Sequence, residues 1–219
     1  MSLEKTDVVV VGGGQAGIAA SEHLTKAGIK HVVLERDRIA ESWRTMRWDS
    51  LVANGPAWHD RFPNMEFKNK HQDAFVPKEE VADYFIDYAK MFDAPIREGV
   101  GVNSVTRKAG SAGFVVETSD GVIEASYVIS ATGAFQRPMV PPIVPKVEGL
   151  NQIHSTVYRN PQALPEGNVL VIGAGSSGAQ ISTELMRSGR KTFLSVGAHD
   201  RPPRRYRNRD FCWWLGVLN

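Results

Sequence analysis

One pattern in this chain is written twice. Asp7-Val-Val-Val-Val11 runs straight into Gly12-Gly-Gly-Gln-Ala-Gly17, and 161 residues further on Asn168-Val-Leu-Val-Ile172 runs into Gly173-Ala-Gly-Ser-Ser-Gly178. A short, continuously apolar run that stops at glycines reads as a strand buried on both faces of a parallel sheet. After the first copy, Ala16, Ala19, Ala20, Leu24 and Ala27 recur at helical spacing, Gly28 sits as a C-cap, and His31-Val-Val-Leu-Glu35 reads as the next strand. The match continues, since Ser21, Leu24, Gly28 and Lys30 coincide with Ser182, Leu185, Gly189 and Lys191, and the second copy reaches a strand at Thr192 to Val196. Each copy is a βαβ unit, so the spacing predicts an α/β protein with two Rossmann-like nucleotide-binding units.

A strand that ends in G-x-G-x-x-G and opens a helix is built for a pyrophosphate. Gly12 permits the tight turn, Gly14 leaves room for the ligand to approach the backbone, and Gly17 lets helix and strand pack closely. Gln15 and Ala16 open the helix whose positive N-terminus faces the anion. In the second copy Gly173, Gly175 and Gly178 take the same positions, with Ser176 and Ser177 between them. Glu35 ends the second strand 18 residues after Gly17, where a carboxylate accepts hydrogen bonds from an adenosine ribose. The second copy has Val196 there, with Ser195 before it, so nothing acidic repels a 2′-phosphate and NADPH is expected over NADH. From Arg187 to Asp210 the chain carries eight Lys/Arg and two Asp, and Arg201 and Arg204 are the candidate phosphate ligands.

The rest of the chain is less regular. Trp43 to Val76 shows no sustained period, Lys78 to Phe92 is helical with Val81, Tyr84, Phe85, Tyr88 and Phe92 on one face, and Val100–Arg107, Phe114–Thr118 and Tyr127–Ser130 read as strands. Pro138, Pro141, Pro142 and Pro145 mark a connection between domains. Composition narrows the function. Lys+Arg 26 against Asp+Glu 24 argues against a globally basic nucleic-acid binder, and a basic patch without a recognition motif or interleaved aromatics gives that reading no support. The single Cys212 allows neither an internal disulfide nor a Cys-x-x-Cys pair, which excludes disulfide reductase chemistry by these residues and fits a reducing compartment. No run is long enough for a signal peptide or a membrane span, so a cytoplasmic location with no membrane partner is expected.

In order, Gly12 to Gly17, Glu35, Ser42-Trp43-Arg44, Asn54-Gly-Pro56, Ile129-Ser-Ala-Thr-Gly133, Gly149 to Tyr158 and the second glycine motif resemble the class B flavin-dependent monooxygenases. That family includes the flavin-containing monooxygenases, the plant YUCCA-type enzymes and the Baeyer–Villiger enzymes. The family fingerprint is Gly, three residues, His, three residues, then an aromatic. Here His154-Ser-Thr-Val-Tyr158 keeps the last spacing, but four residues separate Gly149 from His154, and Val147 stands where Phe is usual. The resemblance covers nearly the whole chain, which makes residues 1–145 an FAD-binding domain and residues 146–219 the start of an NADPH-binding domain. It implies FAD pyrophosphate on Gly12 to Gly17, ribose on Glu35, flavin contacts from Ser42 and Trp43, and closure over FAD by Ala131, Thr132 and Gly133. It places Asn54 beside flavin and nicotinamide as the catalytic amide, sets Ser176, Ser177 and Gly178 on the NADPH pyrophosphate, and leaves His154 a structural role. No metal is implied.

The implied reaction is reduction of FAD by NADPH, capture of O2 as a C4a-hydroperoxyflavin, and transfer of one oxygen atom to a small nucleophilic or carbonyl compound. Family members run well beyond 219 residues, so the resemblance implies truncation at the C-terminus, with apolar strand surface left for other polypeptide to cover. The alternatives are a non-catalytic nucleotide-binding module, in which an uncovered sheet edge would pair a homo-oligomer, and an NADPH oxidase or reductase.

Overall fold

Four consecutive valines offer water no polar face, and β1 (Glu4–Val11) is accordingly an interior strand of a six-stranded sheet. The computed structural model describes residues 3–142, 145–198, 200 and 202–218, and the chain divides into two units. One runs to Met46 and resumes over Glu79–Pro138; the other joins Arg47–Lys78 to the chain from Met139 onward.

In the first unit β1 leads through Gly12–Gly14 into α1 (Gln15–Lys26) and back to β2 (His31–Leu34), which pairs parallel with β1 from Val8↔His31 to Val11↔Leu34. Two short helices, α2 (Glu41–Thr45) in the first unit and α3 (Ala57–Asp60) in the second, precede α4 (Lys78–Met91). The strands β3 (Ile96–Arg97), β4 (Val102–Arg107), β5 (Phe114–Thr118) and β6 (Gly121–Ser130) complete the sheet in the order β3-β2-β1-β6-β5-β4. Its β3-β2-β1-β6 half is parallel and its β6-β5-β4 half antiparallel.

Both faces of β1 are core. Val8 and Val10 pack with Val33 beneath Ala20 and Leu24 of α1, whereas Val9 packs with Val32, Leu34, Val116, Ile123 and Ala125 on the opposite face. Each fully buried valine contributes roughly 2 kcal/mol, which fixes the register that carries the glycine turn. In α4, Val81, Tyr84, Phe85 and Tyr88 are buried as the helical spacing predicts, and Phe92, just past the helix end, meets Tyr88 edge-on at 5.5 Å.

In this sheet two departures from the expected strands come from their partners. β6 begins at Gly121 rather than Tyr127, because it pairs with β5 from Gly121 and with β1 from Ile123, and two partners hold a stretch that local pattern leaves weak. β3 is only two residues long and exists through its pairing with β2.

The second unit contains β7 (Val169–Ile172), α5 (Ser176–Arg187) and β8 (Thr192–Ser195), with β7 and β8 parallel. A hairpin of β9 (Arg205–Tyr206) and β10 (Arg209–Asp210) leads into α6 (Phe211–Leu218). The sequence repeat is a structural repeat, bond for bond. Val8 N–H to Lys30 O, Gly12 N–H to Leu34 O and Ala27 N–H to His23 O recur as Val169 to Lys191, Gly173 to Ser195 and Ser188 to Glu184. The copies differ in cover: Val9 is fully buried, but its counterpart Leu170 is 58% exposed, because β7 pairs only with β8 among the described residues.

Residues 47–78 fall on the far side of the expected boundary at 145. They join the second unit through long-range bonds: Asp49 N–H donates to Arg159 O at 2.8 Å, and Asn160 Nδ2 donates to Asp49 Oδ2 at 2.6 Å. The first unit ends at Pro138, the first of the four prolines.

Candidate functional site

The first glycine turn sits at the carboxyl ends of three adjacent parallel strands, β2, β1 and β6, where open α/β sheets bind ligands. Gly12 has φ +111°, and a Cβ there would stand 2.5 Å from Ala131 O, so the turn needs glycine for conformation and for space. At Gly17 a Cβ would lie 1.8 Å from Gly12 O, whereas at Gly14 it would meet nothing within 4 Å. Gly14 is the N-cap of α1, no side chain caps that end, and the first turn carries no acidic residue. Gln15 and Ala16 follow, both exposed. Close packing behind, open space in front and an uncapped positive helix end are what a pyrophosphate requires.

Glu35 closes one side of this turn. Its Oε2 accepts the Gly13 N–H at 2.6 Å and its Oε1 accepts the Asp37 N–H at 2.9 Å. Each carboxylate oxygen has a second lone pair, so the side chain is oriented by the loop and still able to accept ribose hydroxyls. On the other side Ala131 N–H donates to Val11 O at 2.9 Å, Gly133 turns with φ +81°, and exposed Thr132 accepts from Gln136, which in turn accepts from Arg36. The loops after β2 and β6 are therefore tied together beside the turn. In α2, Ser42 is exposed, half-buried Trp43 meets Phe85 edge-on at 6.1 Å, and Arg44 pairs with Asp83 at 3.0 Å, which anchors α2 on α4.

The second turn repeats the first. Gly173 has φ +97°, a Cβ on Gly178 would lie 1.8 Å from Gly173 O, and a Cβ on Gly175 would meet nothing within 4 Å. Gly175 caps α5 with no side-chain bond, and no acid lies in the first turn, so Ser176 and Ser177 open a second anion-ready helix end. Asn54 sits here: its Nδ2 donates to Ser176 Oγ at 3.0 Å and its Oδ1 accepts from Gln180 Nε2 at 2.9 Å. Ser176 and Gln180 lie one helical turn apart, and sequence reasoning missed Gln180 because nothing local ties it to residue 54.

The fingerprint segment holds α5 in place. Tyr158, 3% exposed, donates its hydroxyl to Glu184 at 2.7 Å, and burial together with that carboxylate pushes the phenol well above its ordinary range. His154 Nδ1 accepts the Thr156 N–H at 3.2 Å within its own turn. Arg201 lies outside the described residues. Arg204 is engaged already, donating to Asp210 at 2.9 Å and lying 4.6 Å over Phe75. Burial and the neighbouring Asp210 push the Cys212 thiol pKa up.

A family profile described as pyridine nucleotide-disulphide oxidoreductase matches residues 9–207. The chain belongs to that family. A curated relative from Geobacillus kaustophilus, an uncharacterized CzcO-like oxidoreductase, is 38% identical over 97% of this chain and 62% of its own length. An indole-3-pyruvate monooxygenase of Oryza sativa, YUCCA1, is 30% identical over 86% of this chain and 47% of its own. The flavin-containing monooxygenase of Stenotrophomonas maltophilia superposes with a TM-score of 0.81 at 27% identity, covering 98% of this chain and 64% of that one. The chain thus spans less than two thirds of the length of these relatives. The fold is the Rossmann-like dinucleotide-binding fold of flavin monooxygenases, and among the described residues no helix is long and apolar enough to cross a membrane.

Proposed function

We propose that this chain is the nucleotide-binding part of an FAD-dependent, NADPH-consuming monooxygenase that oxygenates a small nucleophilic or carbonyl compound in the cytoplasm. The observation that carries the reading is the pair of glycine turns with the same close and open glycines, one flanked by Glu35 and the other by Val196. Gly12, Gly14, Gln15, Ala16 and Gly17 hold the FAD pyrophosphate, Glu35 holds its ribose, and Thr132 and Gly133 border it. Ser42 and Trp43 contribute to the same site. Gly173, Gly175, Ser176, Ser177 and Gly178 hold NADPH, with Arg201 and Arg204 on its phosphate side.

Bound FAD supplies hydride acceptance and oxygen activation at C4a. The protein's part is to orient and to exclude water. Asn54 is the proposed catalytic amide: Gln180 and Ser176 fix its plane, and one Nδ2 hydrogen remains available as a donor. Ser176 belongs both to the proposed pyrophosphate turn and to this bond, so nucleotide occupancy and the Asn54 donor are linked through one hydroxyl. The deciding experiment is turnover under 18O2 with a panel of sulfides, amines and ketones. Label in the product supports the oxygenase, and NADPH consumption that yields only hydrogen peroxide with every panel member favours an oxidase.

A further inference from the structure

Three residues of α5 form one polar stripe, and each meets a residue outside the helix. Ser176, Gln180 and Glu184 stand at i, i+4 and i+8, while Ile181 and Leu185 are the buried residues of the same helix. Glu184 accepts the Tyr158 hydroxyl, and the other two share Asn54. The asparagine is delivered by fixed backbone. Ala53 N–H donates to Val76 O at 2.7 Å, Gly55 N–H donates to Asp60 Oδ2 at 2.8 Å, and a Cβ on Gly55 would collide with the Asp60 carboxylate. Both neighbours of Asn54 are buried, so its freedom is confined to its own side-chain torsions.

The hydrogen bonds along this stripe run in one direction. Gln180 Nε2 donates to Asn54 Oδ1 at 2.9 Å, and Asn54 Nδ2 donates to Ser176 Oγ at 3.0 Å. An amide oxygen only accepts and an amide nitrogen only donates, so the end that Gln180 presents decides which end of Asn54 faces Ser176. The Ser176 hydroxyl, already an acceptor, keeps its single hydrogen, and among the described residues no acceptor takes it. That hydroxyl lies in the first turn of α5, on the glycine turn proposed for the NADPH pyrophosphate. Run backwards, the chain would spend the hydrogen on Asn54 Oδ1 and turn serine lone pairs toward the phosphate.

We propose that Gln180 is a positioning residue for the second nucleotide: it sets the direction of the chain through Asn54, so that the Ser176 hydroxyl donates to a pyrophosphate oxygen of NADPH. A hydrogen bond to an ionised acceptor is roughly twice as strong as a neutral one. The chain uses one of the two Asn54 Nδ2 hydrogens, and the donor role proposed for that amide is retained. The inference rests on the reading of the second glycine turn as the NADPH site.

The test is calorimetric titration of the full chain, with FAD added, by NADP+ in a double-mutant cycle of Gln180→Glu and Ser176→Ala. A carboxylate only accepts, so Q180E turns the Asn54 amide round and spends the serine hydrogen internally. Q180E is expected to weaken NADP+ binding about tenfold or more, as S176A does, but by less than about threefold in the S176A background, where no hydroxyl is left to redirect. Gln180→Met removes the donor without adding charge, and its smaller loss should likewise depend on Ser176. An unchanged Kd in both Gln180 variants would overturn the proposal. So would equal weakening in the two backgrounds, which is the result of plain repulsion by the new carboxylate. A wild-type chain that binds FAD but not NADP+ would remove the second site and this inference with it, whereas NADP+ binding without coupling between residues 176 and 180 would remove the inference alone.

Discussion

Alanine at Gly14 and at Gly17 should separate stability from ligand binding within one turn. At Gly17 the new methyl stands 1.8 Å from Gly12 O, a contact that only backbone movement relieves. Overpacking of this kind costs about 1–3 kcal/mol. At Gly14 the methyl meets nothing, and φ −90°, ψ −167° is extended backbone that alanine adopts, so only the N-cap preference is lost, ~1 kcal/mol at most. For the ligand the order reverses in kind. The Gly14 methyl occupies the space the pyrophosphate needs, and losing one charge-assisted hydrogen bond of about 1.5–3 kcal/mol corresponds to roughly a 10- to 100-fold weaker Kd. Urea denaturation without FAD and titration of flavin fluorescence give the two readouts. G14A should keep the wild-type midpoint closely and bind FAD at least tenfold more weakly, whereas G17A should lose both. A G14A protein that binds FAD like wild type, or unfolds as easily as G17A, would refute the reasoning. The repeat makes the same prediction for Gly175 and Gly178 with NADPH as ligand.

Two further outcomes follow from single residues. Val196, 56% exposed, stands where the first copy has Glu35, so Val196→Glu should lower the NADPH-over-NADH preference of flavin reduction at least tenfold; an unchanged ratio in stopped-flow would remove Glu35 as the ribose carboxylate's model. Tyr88 is 1% exposed, and burial first, then Glu22, pushes its phenol up to about 12. The folded state therefore holds this proton more tightly than the unfolded state. The resulting stability is full below pH ~10 and lost as pH rises toward about 12, a change of ~2–3 kcal/mol. Y88F should flatten that alkaline decline in urea midpoints, and an identical pH profile would contradict the assignment.

What the sequence made legible was local. Valine runs, glycine spacing and the Ala19–Leu24 period specify β1, α1 and β2 because each depends on neighbours a few residues away, and the second copy inherits the same logic. The spacing from Gly17 to Glu35 located the side chain that meets Gly13, since both lie at adjacent strand ends. Long-range bonding was not legible. Residues 47–78 join the second unit through single hydrogen bonds such as Asp49 to Arg159, which leave no periodicity. The resemblance named Asn54 but not Gln180, and the basic run that made Arg204 a candidate phosphate ligand gave no sign of its bond to Asp210 or its stacking over Phe75. The start of β6 was hidden for the same reason: its partners, not its own residues, make Gly121–Ala125 a strand.

Two working nucleotide sites in one chain would show in the visible spectrum of the purified protein titrated with FAD and then with NADPH under anaerobic conditions. One flavin per chain is expected, bleached by NADPH faster than by NADH. A protein that stays colourless after FAD is added and dialysed, or a bound flavin that neither nucleotide reduces, would contradict it.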